Sequence, residues 1–596
     1  MSNDRKEGSL PSSHSHDEKS AIGRDYSSTT FGNGTSFDEP ISHIGVKTVE
    51  ATHKVFGKYT KWALFIGLAL STYIYSLDGQ TTYYYLALAA SSLGDHGLIA
   101  SVQVAQSIIT AVGKPVVAKI ADVHSRGIAY AFVLVFYVIG YIVIASANNI
   151  ETIGGGIVLY AMGYTGLQLL TQIIIADITS LQWRALVNGL TSLPFVINAF
   201  VGGNIATSIL TNSTWRWGYG MFAILIPVSL APLIVTLLWA ERKAKKLGIV
   251  NTVVHGGTNA EREEGSLIQR MLRGAEKLDI LGLVLIGTSV ALILLPLTLA
   301  PNSKGGWKNP SMIAMIVVGF VVIPIFAVWE AKFAKFPVFP RRFLSNRSAI
   351  IASAIGFLDF ISFYLSFSYL YSFVLIVKPW TLVNVTYFIQ TQTVALTVFA
   401  IMCGVLMRFL HRGKWLLVAG LTIRLAGAGL MINSRGADAP DAEIVWSQLL
   451  QGIGGGFAAV AAQTNAQASV THTDVAMVTA VVLLLTEIGG AVGSAIGNMP
   501  ARLAKHLPFL SQADRDTLYG SLYAVAAYPQ GDPVRAGVIL AYSDVMKIMT
   551  IAATAVAVLP LILAFFMPDW YLGTQQNAID NVDLAGEKEE GKTTIA

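Results

Sequence analysis

The chain has 596 residues, 53% of them hydrophobic and only 13% charged, where soluble proteins carry roughly 25% charged residues. Most of it cannot face water, which excludes a soluble enzyme. The formal net charge of +5 says nothing about nucleic acid, because Lys and Arg accumulate in the cytoplasmic loops of membrane proteins for topological reasons. The single cysteine, Cys403, excludes an internal disulfide framework.

Residues 1–58 are rich in Ser, Gly, His and charge, with too few large apolar side chains to offset the entropy of ordering. We expect a disordered cytoplasmic tail, followed by a first span that serves as its own uncleaved insertion signal. Apolar runs long enough for a ~30 Å hydrocarbon core then recur at 61–77, 98–118, 127–147, 153–175, 186–210, 217–240, 280–300, 312–329, 349–371, 383–407, 415–432, 444–464, 475–497 and 548–566. Backbone polar groups in lipid must pair within their own segment, so these are about fourteen helices.

Basic residues set the expected orientation. Arg242, Lys243, Lys245, Lys246, Arg270, Arg273 and Lys277 follow the sixth run; Lys332, Lys335, Arg341, Arg342 and Arg347 follow the eighth. These loops fall inside, and both termini are expected in the cytoplasm. The outer loop 498–547 is long for a connection and carries Leu507, Leu510, Leu518, Leu522 and Val525; we expect an ordered cap or gate built from short surface helices.

Charges at mid-membrane cost about 2.5 to 3.5 kcal/mol each on insertion scales and mark function. The candidates for proton coupling are Asp78, Glu487, Asp359 and Arg424, the last being the counter-charge of the second half. Asp78 lies at the outer end of the first run, where Tyr75, Asp78 and Thr82 share one helical face. Glu487 precedes the small-residue series Gly489, Gly490, Gly493 and Gly497, which lets helices approach closely. Gln168, Gln172, Gln390 and Gln451, with Tyr364 and neighbouring aromatics, are candidates to line a large, polar and mostly uncharged cavity. Structural ion pairing and helix glue are the plain alternatives for these side chains. No GxxxxGK[ST] loop is present. No His, Cys or carboxylate cluster has metal-ligand spacing, and His472 stands alone at a loop; we expect neither ATP drive, nor a cofactor, nor transport of a bare metal ion.

The segment Ala118-Lys119-Ile120-Ala121-Asp122-Val123-His124-Ser125-Arg126-Gly127 resembles the major facilitator signature G-x-x-x-D-R-x-G-R-R, with Ala118, Val123 and Ser125 as departures. Asp122 and Arg126 fall on its acid and its second basic position and are candidates for a conformational lock, with Asp177 and Arg184 at the next inner loop. Leu77-Asp78-x-x-Thr81 and Trp215-Arg216-Trp217 resemble marks of the fourteen-span branch, whereas Leu159 stands where the drug antiporters carry Arg. Ser76-Leu77-Asp78 with its Tyr cluster, Gly113-Lys114-Pro115, Trp183-Arg184, Leu518-Tyr519 and Tyr528-Pro529 together resemble the fungal siderophore-iron transporter family.

That resemblance implies an all-α major facilitator fold: a six-helix bundle at 59–240, loops and two extra helices at 241–346, a second bundle at 347–568, and a cytoplasmic tail at 569–596. It implies uptake of ferric siderophores by proton symport, with the last outer loop, including Tyr519, in substrate recognition. A ferric hydroxamate brings its own iron ligands. The implied partners are the chelate, protons and the lipid bilayer, without nucleic acid, at the plasma membrane or an endosomal or vacuolar one. A proton antiporter for drugs or glutathione, a haem transporter, and a sensing receptor are the rival readings.

Overall fold

A computed structural model describes residues 57–93, 99–247, 278–300, 306–436, 439–495, 499–520 and 531–579, with a few isolated positions between them. Nearly all of the leader, Arg270, Arg273, Lys277, Gly497, Leu522 and residues 580–596 lie outside the described residues. The long helices are α1 (Lys58–Leu93), α2 (Ile99–Val123), α3 (Arg126–Ala145), α4 (Ile150–Ile178), α5 (Leu181–Asn212), α6 (Trp215–Lys246) and α7 (Ile280–Leu299). They continue with α8 (Pro310–Val328), α9 (Arg347–Phe367), α10 (Leu382–Leu410), α11 (Lys414–Ser434), α12 (Asp441–Ala468), α13 (Val475–Ala495) and α14 (Pro533–Phe565).

Among the described residues, twelve helices, α3 to α14, are long and apolar enough to cross a membrane. Helices α1 and α2 have the length, 36 and 25 residues, but carry Asp78, Lys114 and Lys119, which dilute their apolar character. The set is compatible with fourteen crossings and is that of a multi-pass integral membrane protein.

Two helices run well past their apolar stretch. Helix α1 continues through the polar string Asp78-Gly79-Gln80-Thr81-Thr82 to Leu93, so Asp78 lies inside it and not at an outer end. The helix survives because those groups are satisfied locally: Thr81 Oγ1 donates to Leu77 O at 2.9 Å and Thr82 Oγ1 to Asp78 O at 2.8 Å. Helix α14 begins at Pro533 rather than near 548, because Asp532 caps the Val534 N–H at 2.7 Å and Pro533 occupies the first turn. Its 33 residues extend about 50 Å at 1.5 Å per residue, and its first turns stand beyond the apolar span.

Those turns carry a cap of two short helices. The short helices Met499–His506 and Gln512–Gly520 bury Leu503, Leu507 and Leu518 with Val538, Ala541 and Tyr542 of α14 and Leu370, Phe373 and Val374 of the short helix Leu370–Val377. Arg515 Nη1 donates to Leu507 O and Leu510 O at 3.1 and 2.6 Å, and Asp544 receives His506 and Lys505 at 2.9 and 3.2 Å.

Packing repeats internally. Helix α1 packs on α5 and α6, α3 on α4 and α6, and α2 on α4; adding eight to each number gives α9 on α13 and α14, α11 on α12 and α14, and α10 on α12, all of which occur. The two halves meet along α2 against α13 and α5 against α10, which the same shift exchanges. Helix α7 lies across the α2–α13 seam, with Ile286, Val290 and Leu294 on Ile108, Ala111 and Val112 of α2 and on Leu484, Ile488 and Ala491 of α13. Helix α8 packs outside α7, and of its residues only Gly319 is buried.

Close approach depends on missing side chains. A Cβ at Gly489 of α13 would stand 2.1 Å from Phe357 O of α9. We expect Gly489→Val to cost more than the roughly 1–3 kcal/mol usual for overpacking, since the obstacle is backbone. A melting temperature in detergent equal to the parent's would refute this.

Candidate functional site

Asp78 is fully buried inside the first half. Tyr137 and Tyr141 of α3 donate their hydroxyls to its two carboxylate oxygens, and Tyr160 of α4 donates at 3.0 Å. The convergence is built by glycines on the α3–α4 contact. A Cβ at Gly163 would lie 2.6 Å from Tyr137 Cα, and one at Gly140 would lie 2.4 Å from Tyr160 N. Among the described residues no Lys, Arg or His pairs with this acid. Phenols both donate and accept, so the cage can hold the group as a carboxylate receiving O–H donors or as an acid donating its own proton, without leaving it partnerless.

Next to the cage lies the seam between halves. Tyr75 stacks on Tyr164 with centroids 4.6 Å apart, and Tyr164 leans on Tyr160 at 5.4 Å. Lys114 of α2 is fully buried; its ammonium donates to Gln168 Oε1 of α4 at 2.7 Å and to Glu487 Oε1 of α13 at 3.1 Å. The Glu487 side chain is 22% exposed, so this pair joins the two halves at an accessible edge. Tyr364 of α9 closes the group, its ring lying on Gly490, where a Cβ would come within 2.8 Å of Cε2.

The second half has its own buried acid on α9, the helix that the packing repeat relates to α1. Asp359 of α9 forms an ion pair with Arg424 of α11, Oδ1 to Nε 2.7 Å, both largely buried, where Asp78 of α1 receives the hydroxyls of Tyr137 and Tyr141 of α3. The repeated scaffold therefore holds one acid with neutral phenols and the other with a fixed cation.

The other sequence candidates are dispersed. Gln390 Nε2 reaches across the halves to Gln80 Oε1 at 2.9 Å. Gln172 Oε1 and both amide atoms of Gln451 are buried without a hydrogen-bond partner. Tyr519 sits in the cap, packed with Tyr369 and Tyr542 and away from the buried acids. Thr82 is spent on the backbone of α1.

At the end opposite the cap, Arg126 Nη1 bonds Asp122 Oδ1 at 2.7 Å and Arg126 Nε bonds Asp177 Oδ2 at 2.9 Å. His472 is not alone: its Nε2 lies 3.2 Å from Asp177 Oδ1, joining the halves. Among the described residues Arg184 meets no carboxylate directly and instead donates to the carbonyls of Ala176, Thr179 and Gln576 at 3.0, 3.3 and 2.8 Å. Residues 570–579, expected in a tail, form a strap: Leu181 N and Gln182 N of the first half donate to Gln575 O and Gly573 O at 3.1 and 3.0 Å, while Leu572 N and Ala578 N donate to His411 O and Ala468 O of the second half at 2.9 and 3.2 Å.

The strap and the Asp177–His472 contact join the two halves at this end. Cys403 is buried, so an introduced thiol reports cleanly. We expect truncation after Asp569 to speed maleimide labelling of Thr179→Cys by about tenfold, equivalent to about 1.4 kcal/mol of lost closure. Equal labelling rates with and without the strap would refute a latch.

Sequence reasoning passed over Lys114, Tyr137, Tyr141, Tyr160 and Tyr164 as site residues. The signals were a lone cation inside an apolar span and two Tyr pairs four residues apart, each on one helical face.

Residues 64–432 match the profile of the Major Facilitator Superfamily. The chain is 34% identical over 573 residues to the low affinity heme transporter str3 of Schizosaccharomyces pombe, covering 94% of this chain and 91% of that one. It is 35% identical over 569 residues to the siderophore transporter fer7 of Mycosarcoma maydis, covering 91% and 86%. To the MFS siderochrome iron transporter C of Aspergillus fumigatus it is 35% identical over 548 residues, covering 90% and 88%.

Proposed function

As the chain belongs to the fungal siderophore-iron transporter family within the Major Facilitator Superfamily, a family of transporters and not of enzymes, we propose that it imports ferric siderophore chelates of the hydroxamate type by proton symport. The observation that carries the proton part is the Asp78 cage, in which an acid buried in the membrane region meets three phenols and, among the described residues, no cation. Glu487, the second acid, sits at the seam that must open and close. The cargo part rests on the siderophore transporters of M. maydis and A. fumigatus.

The transport cycle is alternating access between the bundles 59–240 and 347–568 around a chamber near the midplane. Tyr75, Tyr164, Tyr364, Gln168, Gln172, Gln390 and Gln451 supply aromatic faces and amides for a bulky polar cargo, with Tyr519 in the cap at its entrance. Asp122, Arg126, Asp177 and Arg184 form the lock at the opposite end. The basic residues Lys243, Lys245 and Lys246 at the end of α6 favour the cytoplasm for that lock end and for both termini; the plasma membrane is the expected site.

One proton crossing about 100 mV gains roughly 2.3 kcal/mol, and one pH unit adds about 1.4 kcal/mol. One coupled proton would then sustain several-hundred-fold accumulation of a neutral solute, on the order of the roughly 3.7 kcal/mol available. In right-side-out vesicles, an inward proton gradient should drive accumulation of labelled ferric trihydroxamate, and a protonophore should abolish it. Loss of preloaded chelate under the same gradient would refute symport and favour an antiporter. The 34% identical heme transporter of S. pombe favours a second cargo, haem, and competition by haemin in the same vesicles would identify it.

A further inference from the structure

Lys114 is an unusual partner for Glu487. It is fully buried on α2 of the first half, while the acid it neutralises belongs to α13 of the second half and is partly exposed. Gln168 holds the ammonium from behind at 2.7 Å. One helical turn along the same face of α4, Gln172 presents a buried Oε1 with no partner. Among the described residues, the other titratable groups facing Glu487 are the hydroxyls of Tyr75 from α1, Tyr164 from α4 and Tyr364 from α9; α7, which also packs on α13, brings apolar side chains to the seam, Ile286, Val290 and Leu294 among them. Lys114 is therefore the cation that balances Glu487, and a buried charge that loses its partner must find another.

We propose that Lys114 is the cargo-docking cation of this transporter and that Glu487 governs it by taking up a proton. A proton added to the Glu487 carboxylate gives a neutral acid and removes the negative end of the pair. The ammonium keeps its charge and its bond to Gln168, and its remaining donors turn to an oxyanion face of the cargo, such as iron-ligating hydroxamate or carboxylate oxygens. Cargo and proton then favour each other's binding, because each relieves the vacancy the other creates. The inference rests on the iron-chelate reading above and adds the residue that recognises the chelate's oxygens and the link between recognition and the proton.

The test is equilibrium binding of iron-labelled ferric trihydroxamate and of ferric citrate to the full chain in nanodiscs, at about pH 5 and about pH 8. Wild type should bind more tightly at the lower pH. Glu487→Gln, which imitates the neutral acid, should bind equally at both. Lys114→Met should weaken binding about tenfold to a hundredfold at the lower pH, the loss expected for a hydrogen bond to a charged group, and Lys114→Arg should recover part of it. The double variant Lys114→Met with Glu487→Gln leaves no unpaired charge, so it tests docking apart from folding, and it should bind as weakly as Lys114→Met. Wild-type affinity in the double variant, or an unchanged pH dependence in Glu487→Gln, would overturn the proposal while leaving the iron-chelate reading intact. Failure of wild type to bind either complex would instead overturn that reading and this inference with it.

Discussion

Asp78→Asn is expected to abolish proton-driven accumulation, bringing a several-hundred-fold gradient to near equality, while the protein folds and reaches the membrane. The carboxamide has nearly the shape of the acid, and its oxygen still accepts from Tyr137, Tyr141 or Tyr160, whose hydroxyls now surround the site. Its amide hydrogens find acceptors in the same phenols, so no buried polar group is stranded. What it cannot do is gain or lose a proton. Binding of cargo at one fixed pH should therefore survive within a few-fold, and only coupling should fail. The discriminating measurement is chelate uptake with and without a protonophore; a variant still sensitive to the protonophore would remove Asp78 from the proposed cycle.

Arg424→Met should act in the opposite manner, on stability. Asp359 Oδ1 and Arg424 Nε form an ion pair 2.7 Å apart, with both groups largely buried. Taking away one partner of a buried ion pair leaves an uncompensated charge and costs about 3–5 kcal/mol, whereas replacing both partners is often nearly neutral. We expect Arg424→Met to lose most of its folded material, and Arg424→Met with Asp359→Asn to recover it. Thermal unfolding in detergent measures both. Parental stability in the single variant would mean that the pair does not hold α9 to α11.

These two variants rest on helices that the internal repeat relates, α1 with α9 and α3 with α11, and that relation could not be read from the sequence. The apolar runs located the spans well, because a segment that must satisfy its own backbone in lipid has few options. They did not reveal the length of α1. Asp78-Gly79-Gln80-Thr81-Thr82 has the composition of a loop, and it stays helical because Thr side chains and three tyrosines on other helices satisfy it. Asp359 and Arg424 were legible as opposite charges in one half. Lys114 and Glu487 are 373 positions apart, and no local spacing joins them; only the docking of α2 on α13 does. His472 read as an isolated loop residue for the same reason, its partner Asp177 being 295 positions away.

The strap at 570–579 also sets an expectation for the pace of the machine. In the proposed alternating-access cycle, each round must break the bonds from Leu181 and Gln182 to Gln575 and Gly573, and from Arg184 to Gln576, before the chamber can empty at that end. These bonds reform only after the halves swing back. Turnover should accordingly be slow and steeply accelerated by warming, with the release step as its bottleneck, and a carboxy-terminal fusion that crowds the strap should alter speed far more than affinity.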